Sequence, residues 1–170
     1  IYKHVTCNYP IPTWMKTILI DTLKEKINIS DKEKVVLTDY FQITTKKKNE
    51  YLVNEGSSSS YLYFIIDGYV RCFFNNDGNE ITTQISTNKD FITSFESFLN
   101  NNSSKENIQC ISDCLLLRIS KTNYENLYSE ISDWSVFCKS VYEEHIMKIS
   151  DRTNSLQNLS ASERYLKLLN

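Results

Sequence analysis

Glycine and proline are scarce in this sequence: three glycines and two prolines occur among 170 residues. Glycine makes up about 7% of an average chain, so roughly four times as many glycines would be ordinary at this length. Neither G-x-G-x-x-G nor G-x-x-x-x-G-K-[ST] occurs, which excludes the glycine-dependent loops that cradle phosphates. The collagen-like, glycine/serine-linker and proline-rich classes are excluded for the same reason.

The sequence also lacks long apolar runs and paired cysteine motifs. No apolar run approaches the length of about 18 residues that a membrane-spanning helix needs, and no secretory signal is visible. The five cysteines are odd in number and include no C-x-x-C pair, so we expect reduced thiols and a cytoplasmic protein without a membrane contact. A net charge of −2 gives no sign of a broad nucleic-acid surface in these residues.

Residues for metal binding or catalysis are few. The two histidines are His4, near the start, and His145, in a helical segment, so the facial metal site of a cupin enzyme cannot be assembled. An iron–sulfur cluster needs four cysteines, mostly grouped near the N-terminus, where only Cys7 lies. Glu55 and Glu96 are isolated carboxylates, and no nucleophile–base arrangement is evident. We therefore predict neither an enzyme nor a metal site.

Residues 1–40 form the first of four predicted segments, a set of helices that packs on a β domain. Apolar residues between positions 11 and 40 recur at spacings of three to five, as in an amphipathic helix. Ser30 followed by Glu33 has the form of a capping box, which predicts that a second helix begins there.

Residues 41–119 change to a period of two, which is typical of strands. Short runs of aromatic and β-branched residues are separated by turn signals about every 8–12 residues, a rhythm that indicates a sandwich or jelly-roll barrel. Asp67-Gly68 and Asp77-Gly78 predict hairpin turns, and Glu55-Gly56 marks another turn. We expect Gly56, Gly68 and Gly78 to lie at barrel corners where a Cβ would clash.

Residues 120–159 return to a helical pattern. Ser120 is a predicted N-cap for a short helix, and Asp133 for a long one that runs to about Leu159. The long helix carries an apolar stripe at three/four spacing that favours dimerisation, and a second apolar set that widens it. The alternative is a long surface helix of a monomer. The predicted dimer residues are Trp134, Cys138, Val141, Tyr142, His145, Ile149 and Leu156.

The sequence resembles the Crp/Fnr family of transcription regulators. The resemblance rests on Leu52-x-x-Glu55-Gly56, on Tyr63-Phe64-Ile65-x-x-Gly68-x-x-Arg71, and on Asp77-Gly78-x-Glu80-Ile81-Thr82. These three stretches are similar to the consensus of the family's cyclic-nucleotide-binding domain. The resemblance implies a mainly β chain with helices: a jelly-roll, or double-stranded β-helix, barrel with N-terminal helices and a long C-terminal dimerisation helix.

The resemblance also implies partners. Family members are bacterial homodimers that bind DNA through a winged helix-turn-helix, and residues 160–170, beginning with the capping box Ser160/Glu163, are similar to the helix that opens that domain. The sequence stops at Asn170, so the expected DNA-binding domain is otherwise absent and the chain is predicted to be the sensing and dimerising portion. The alternative is a stand-alone module that binds a small ligand or another protein and has no DNA role.

The sequence differs from the family at the positions that bind the cyclic nucleotide in relatives. A Gly-Glu pair and an Arg-Ser/Thr pair hold the ribose and cyclic phosphate in relatives, and the aligned positions read Thr93-Ser94 and Ser104-Lys105. We therefore predict that cAMP is not bound; a different small-molecule effector and the absence of any effector both stay open. Glu96 would share the side of Ser94 if this segment were an extended strand. The candidate pocket residues are Ile92, Ser94, Phe95, Glu96, Ser104 and Lys105, with Ile149 and Ser150 from the long helix.

Overall fold

The computed structural model describes residues 10–158. His4, Cys7 and the predicted DNA-binding segment 160–170 lie outside the described residues, as does the side chain of Leu156. The described helices are α1 (Thr13–Lys24), α2 (Asp31–Tyr40), α3 (Phe95–Asn100), α4 (Lys121–Glu130) and α5 (Trp134–Asn158). The described strands are β1 (Gln42–Lys46), β2 (Tyr51–Val53), β3 (Tyr61–Asp67), β4 (Val70–Asn76), β5 (Asn79–Ser86), β6 (Phe91–Ile92), β7 (Asn107–Cys110) and β8 (Cys114–Ser120).

The strands form two antiparallel four-stranded sheets, with the orders β1-β8-β3-β6 and β2-β7-β4-β5. Consecutive strands β3 and β4 lie in different sheets, as do β7 and β8, so the chain crosses between the two layers. The prediction of a mainly β chain with helices and a jelly-roll-like barrel is confirmed by this arrangement.

Strand β3 shows why the period of two is weak in the middle of the barrel. Its residues Tyr63 and Ile65 face the second sheet, in a core shared with Val70 and Ile108. Its alternate residues, such as Phe64, face the helices on the other side. Because side chains alternate along a strand and both faces are covered, β3 reads as a continuous apolar run.

Helices α1, α2, α4 and α5 cover the outer face of the β1-β8-β3-β6 sheet. Their apolar side chains form one buried cluster with Leu62, Phe64, Leu117 and others of that sheet. Trp134, at the start of α5, is fully buried at the centre of this layer. Further along, α5 is fixed to the rest of the domain by ion pairs of Lys26 with Glu144 and of Lys148 with Asp90.

Side-chain caps begin two of the helices. The Ser30 hydroxyl accepts a hydrogen bond from the Glu33 amide, and the Glu33 carboxylate accepts one from the Ser30 amide at 2.8 Å, so the predicted capping box is confirmed. Glu33 also accepts from the Ser132 amide at 2.8 Å, which ties α2 to the joint between α4 and α5. The Ser30 side chain, then these backbone donors, lower the pKa of Glu33 to about 2. Ser120 caps α4 as predicted.

The three glycines require two corrections. All have positive φ, but a Cβ would meet close neighbours only at Gly68; at Gly56 and Gly78 the space is open. Asp77-Gly78 forms the predicted hairpin turn between β4 and β5. Asp67-Gly68 does not form a hairpin, because β3 and β4 belong to different sheets and the turn carries the chain across.

A helix that spans a bilayer is both long and apolar. Within this part of the chain, no helix combines the length and the apolar character needed to span one.

Candidate functional site

The predicted pocket residues from Ile92 to Lys105 lie in one segment, here called the cassette, which begins with a strand followed by a short helix. Strand β6 ends at Ile92, Ser94 occupies the N-cap position, and α3 closes at Asn101 in a left-handed conformation with φ 57°. The Ser94 carbonyl accepts from the Phe98 amide at 2.8 Å, as in a helical first turn. The extended strand considered for this segment is therefore wrong, and Glu96 does not share the side of Ser94.

A network of buried hydroxyl groups holds this cassette against the β2–β3 loop. Ser59 Oγ lies 2.8 Å from Thr93 Oγ1, and Thr93 donates to the Tyr61 carbonyl at 2.9 Å. Ser97 Oγ accepts from the Ser59 amide at 2.9 Å and donates to the Asn102 carbonyl at 2.5 Å. Each hydroxyl in this network is almost completely buried and has a partner, so the network closes on itself rather than presenting groups to a ligand.

The two positions that align with the family's charged ligand-binding residues contact each other. Ser104 Oγ lies 2.9 Å from Ser94 Oγ, and both side chains are buried. Ser104 also contacts the Glu106 backbone, accepting from its amide at 3.2 Å. Burial raises the pKa of the Glu106 carboxyl, which hydrogen-bonds to Ser94. A carboxylate and a guanidinium are thus replaced by a neutral hydroxyl pair beside a carboxyl group.

Glu96 and Lys105 form an ion pair on the outside of the cassette. Lys105 Nζ donates to Glu96 Oε1 at 2.8 Å, and both side chains are more than half exposed. The hydrogen bond and charge of Lys105 lower the pKa of Glu96. The positive charge that could have neutralised a phosphate is therefore already paired, in water, where such a pair adds little stability.

The space between the barrel and α5 is filled by aromatic side chains. The Phe95 ring lies 5.4 Å from the Tyr142 ring, edge to face, and 4.4 Å from the His145 ring. Burial, then the charge of Lys148, lowers the pKa of His145. Cavities of about 10 Å³ lie on either side of this contact, which is the room of a single water molecule.

The predicted pocket residues are therefore separated into groups. Ser94 contacts Ser104, Glu96 contacts Lys105, and Phe95 packs on α5. Ile92 is buried in the core between the two sheets. Ile149 and Ser150 are exposed on α5.

The dimer-helix prediction needs a correction for three residues. Trp134, Cys138 and Val141 are buried in the core of their own chain, so they are not available to a partner. Tyr142 and His145 are half-buried against Phe95, and Ile149 is 45% exposed. The outward apolar residues of α5 are Val136, Ile146, Met147 and Ile149.

A cluster of tyrosines near the cassette was not predicted from the sequence. Tyr124 Oη lies 2.5 Å from Tyr142 Oη and 3.3 Å from Tyr128 Oη. The rings of Tyr124 and Phe98 meet edge to face at 5.2 Å. Burial raises the pKa of Tyr124, so the phenol stays protonated. The hydroxyl groups join α4 to α5 as neutral hydrogen-bonding groups, and the Phe98 ring contact adds α3. The only indication of this cluster in the sequence is the spacing of four between Tyr124 and Tyr128, which places them on the same side of a helix.

Larger cavities lie at the surface of the described part of the chain. One of about 440 Å³ is polar and has Lys121, several serines and Glu125 in its wall. Another of about 180 Å³ lies beside Cys114. Over residues 10–158, no three histidine, cysteine or acidic side chains converge as they would to hold a metal ion.

Comparisons with known proteins identify the family and the fold. The cyclic nucleotide-binding domain family matches residues 44–130. No curated protein matches the chain.

Solved structures share the fold at low identity. A cyclic nucleotide-binding domain from Methylobacillus flagellatus has 13% identity and a TM-score of 0.72, with 82% of each chain covered. Thermus thermophilus Catabolite Activator Protein has 17% identity and a TM-score of 0.66; the match covers 80% of this chain and 63% of that one.

The regulatory domain of Toxoplasma gondii PKA, solved with cAMP, has 17% identity and a TM-score of 0.63. That match covers 79% of this chain but spans only about half of the other, 51%. The family match extends from β1 to the end of α4, through both sheets and the cassette, which is half of the sequence. The chain belongs to the cyclic nucleotide-binding domain family.

Proposed function

We propose that this chain is the effector-sensing and dimerising region of a Crp/Fnr-type transcription regulator of the bacterial cytoplasm, and that DNA is bound by a domain C-terminal to α5. The family membership and the similarity to a Catabolite Activator Protein support the proposal. The coding sequence downstream of Asn170 tests the DNA-binding part directly. A winged helix-turn-helix is expected there, and a stop codon at that point would exclude it.

The apolar seam on α5 is the observation that carries the proposal. Ile146 and Ile149 are exposed although they are large and apolar. With Tyr142 and Thr153 they follow the spacing 4-3-4, which is that of the a and d positions in a coiled coil. A second copy of the same helix presents the same seam, so a two-fold dimer covers both.

Replacement of Ile146 by glutamate is expected to break this dimer. Each protomer loses one buried isoleucine, worth about 2 kcal/mol, so the dimer loses about 4 kcal/mol, and two carboxylates face each other. Ile146→Glu should therefore raise the dissociation constant about a thousandfold. Sedimentation equilibrium on the wild type and the variant measures this change directly.

Met147→Glu is the matched control for that experiment. Met147 is as exposed as Ile146, at 65% against 64%, but it lies about 100° further around the helix and outside the seam. It should leave the dissociation constant unchanged. A monomeric wild type, or equal effects of the two variants, would contradict the proposed seam.

The effector of this sensor is proposed to differ from cAMP. A cyclic phosphate buried at the cassette would need a cation, because an unpaired buried charge costs several kcal/mol. Ser94 and Ser104 are neutral and bonded to each other, and Lys105 is paired with Glu96. The hydroxyl network would have to open before any nucleotide could enter.

Titration calorimetry with cAMP and with cGMP is expected to show no saturable heat, which corresponds to dissociation constants above about 1 mM. Adenosine, which has no phosphate, serves as the control for binding through the base alone. Stoichiometric binding of cAMP at micromolar concentration would overturn this interpretation of the cassette.

A further inference from the structure

Two cysteines lie at the turn where the chain passes from one sheet to the other. Cys110 ends β7 in the second sheet, and Cys114 begins β8 in the first. Both are free thiols and both are buried in the core between the sheets. Only the three residues of the turn separate them in sequence.

The backbone around the turn places the Cys114 sulfur beside the start of β4, the strand that pairs with Cys110. The Tyr69 carbonyl accepts from the Ile111 amide at 2.9 Å and from the Cys114 thiol at 3.5 Å. Tyr69 directly precedes Val70, the residue paired with Cys110 in the β4–β7 ladder. Cys114 Sγ is thus held at the end of the ladder that contains Cys110.

The hydrogen bonds at this turn make the two thiols unequal. Donation by Cys110, followed by that of Ser112, lowers the pKa of Cys114 despite its burial. The same contact, together with burial, raises the pKa of Cys110. Burial raises the pKa of Cys72 and of Cys138, and at Cys72 the charge of Glu106 adds to it. Since the thiolate is the reactive form, Cys114 is the nucleophilic member of the pair.

A cavity of about 180 Å³ leads to Cys114. Its wall includes Lys46, Lys47, Asp67 and Asp113, and Lys47 forms an ion pair with Asp113 at 2.6 Å. A water molecule occupies about 30 Å³, so a small hydroperoxide fits this space. Cys110 is completely buried behind Cys114.

We propose that Cys110 and Cys114 form a redox-active dithiol that a hydroperoxide oxidises to an intramolecular disulfide. The Cys114 thiolate attacks the hydroperoxide, an S–O bond forms, the O–O bond breaks, and the alcohol leaves with one proton. The Cys110 sulfur then attacks the Cys114 sulfenic acid; an S–S bond forms and water leaves. Two thiols lose two electrons and two protons, and one hydroperoxide becomes an alcohol and water.

Hydrogen peroxide, for which the alcohol is a second water, is the probe for this site. The experiment uses the Cys7→Ser variant, because Cys7 lies outside the described residues. After exposure to peroxide and alkylation of the remaining thiols, mass spectrometry is expected to find the segment containing both cysteines lighter by two hydrogens. Cys72 and Cys138 should remain thiols that can still be alkylated. Peroxide should oxidise them at least about tenfold more slowly than it oxidises the Cys110–Cys114 pair. Dithiothreitol should restore both thiols.

Single variants assign the two roles. Cys110→Ser should stop the reaction at a Cys114 sulfenic acid that dimedone captures, whereas Cys114→Ser should leave Cys110 as a thiol. Oxidation of Cys72 or Cys138 as fast as the pair, or a disulfide formed only between chains, would overturn the proposal. An unchanged mass of the segment would also overturn the proposal, provided that circular dichroism shows the Cys7→Ser protein to be folded.

Discussion

Trp134→Ala is expected to lower the free energy of unfolding by about 4 kcal/mol, within the range of 3–5 kcal/mol typical of a buried tryptophan. The Trp134 side chain has no exposed surface, and it stacks on Phe137 at 5.0 Å and meets Tyr124 at 5.7 Å. Its Nε1 donates to the Tyr124 carbonyl at 3.2 Å. The substitution therefore opens a large cavity and removes the side-chain donor of the Tyr124 carbonyl.

Trp14→Ala is the matched control for this substitution. Trp14 is the other tryptophan of the sequence and is 52% exposed on α1, so its removal should change the free energy of unfolding by about 0.5 kcal/mol or less. Urea denaturation followed by far-ultraviolet circular dichroism measures both variants without relying on tryptophan fluorescence. Similar losses for the two variants would mean that Trp134 does not anchor α5 to the barrel.

Local patterns in the sequence were sufficient to predict the helix caps and one hairpin turn. The Ser30/Glu33 box and the Asp77-Gly78 turn involve contacts within three residues, and residue types at these spacings specify the geometry almost alone. The same local reasoning failed for Asp67-Gly68, because a turn signal does not say whether the next strand joins the same sheet or the opposite one.

The apolar stripe of α5 shows a second limit. Three/four spacing indicates which side chains need apolar cover, but it does not indicate what provides it. Trp134 and Val141 are covered by the sheet of their own chain, whereas Ile146 is exposed although it directly follows His145, which packs on Phe95. Assigning residues to core or to dimer seam requires knowing which side of α5 meets the barrel.

The cassette depends on contacts between residues far apart in sequence. The Ser97 hydroxyl accepts a hydrogen bond from the Ser59 amide, which lies 38 residues away in sequence, and α3 has only six residues. Aligned positions therefore revealed that the charged ligand-binding residues were replaced, but not that Ser94 and Ser104 would bond to each other and close the site.

Gly68→Ala is expected to lower the free energy of unfolding by about 3 kcal/mol. An alanine Cβ at this position would lie 2.7 Å from the Asp113 carbonyl oxygen, 2.7 Å from Cys114 Sγ and 3.0 Å from Cys114 Cα. Two of these atoms belong to the backbone of the β7–β8 turn and cannot move aside alone, which is the situation of an overpacked core. The φ of +112° adds strain for any residue with a Cβ.

Gly78→Ala separates the two causes of that loss. Gly78 has a φ of +87° but open space around its Cβ position, so only the backbone strain of about 1 kcal/mol should appear. The difference between the two variants in urea denaturation then measures the close approach of β3 to the Cys114 turn. Equal losses would show that this turn shifts freely, and that it does not hold the two sheets, or the Cys114 sulfur, in fixed positions.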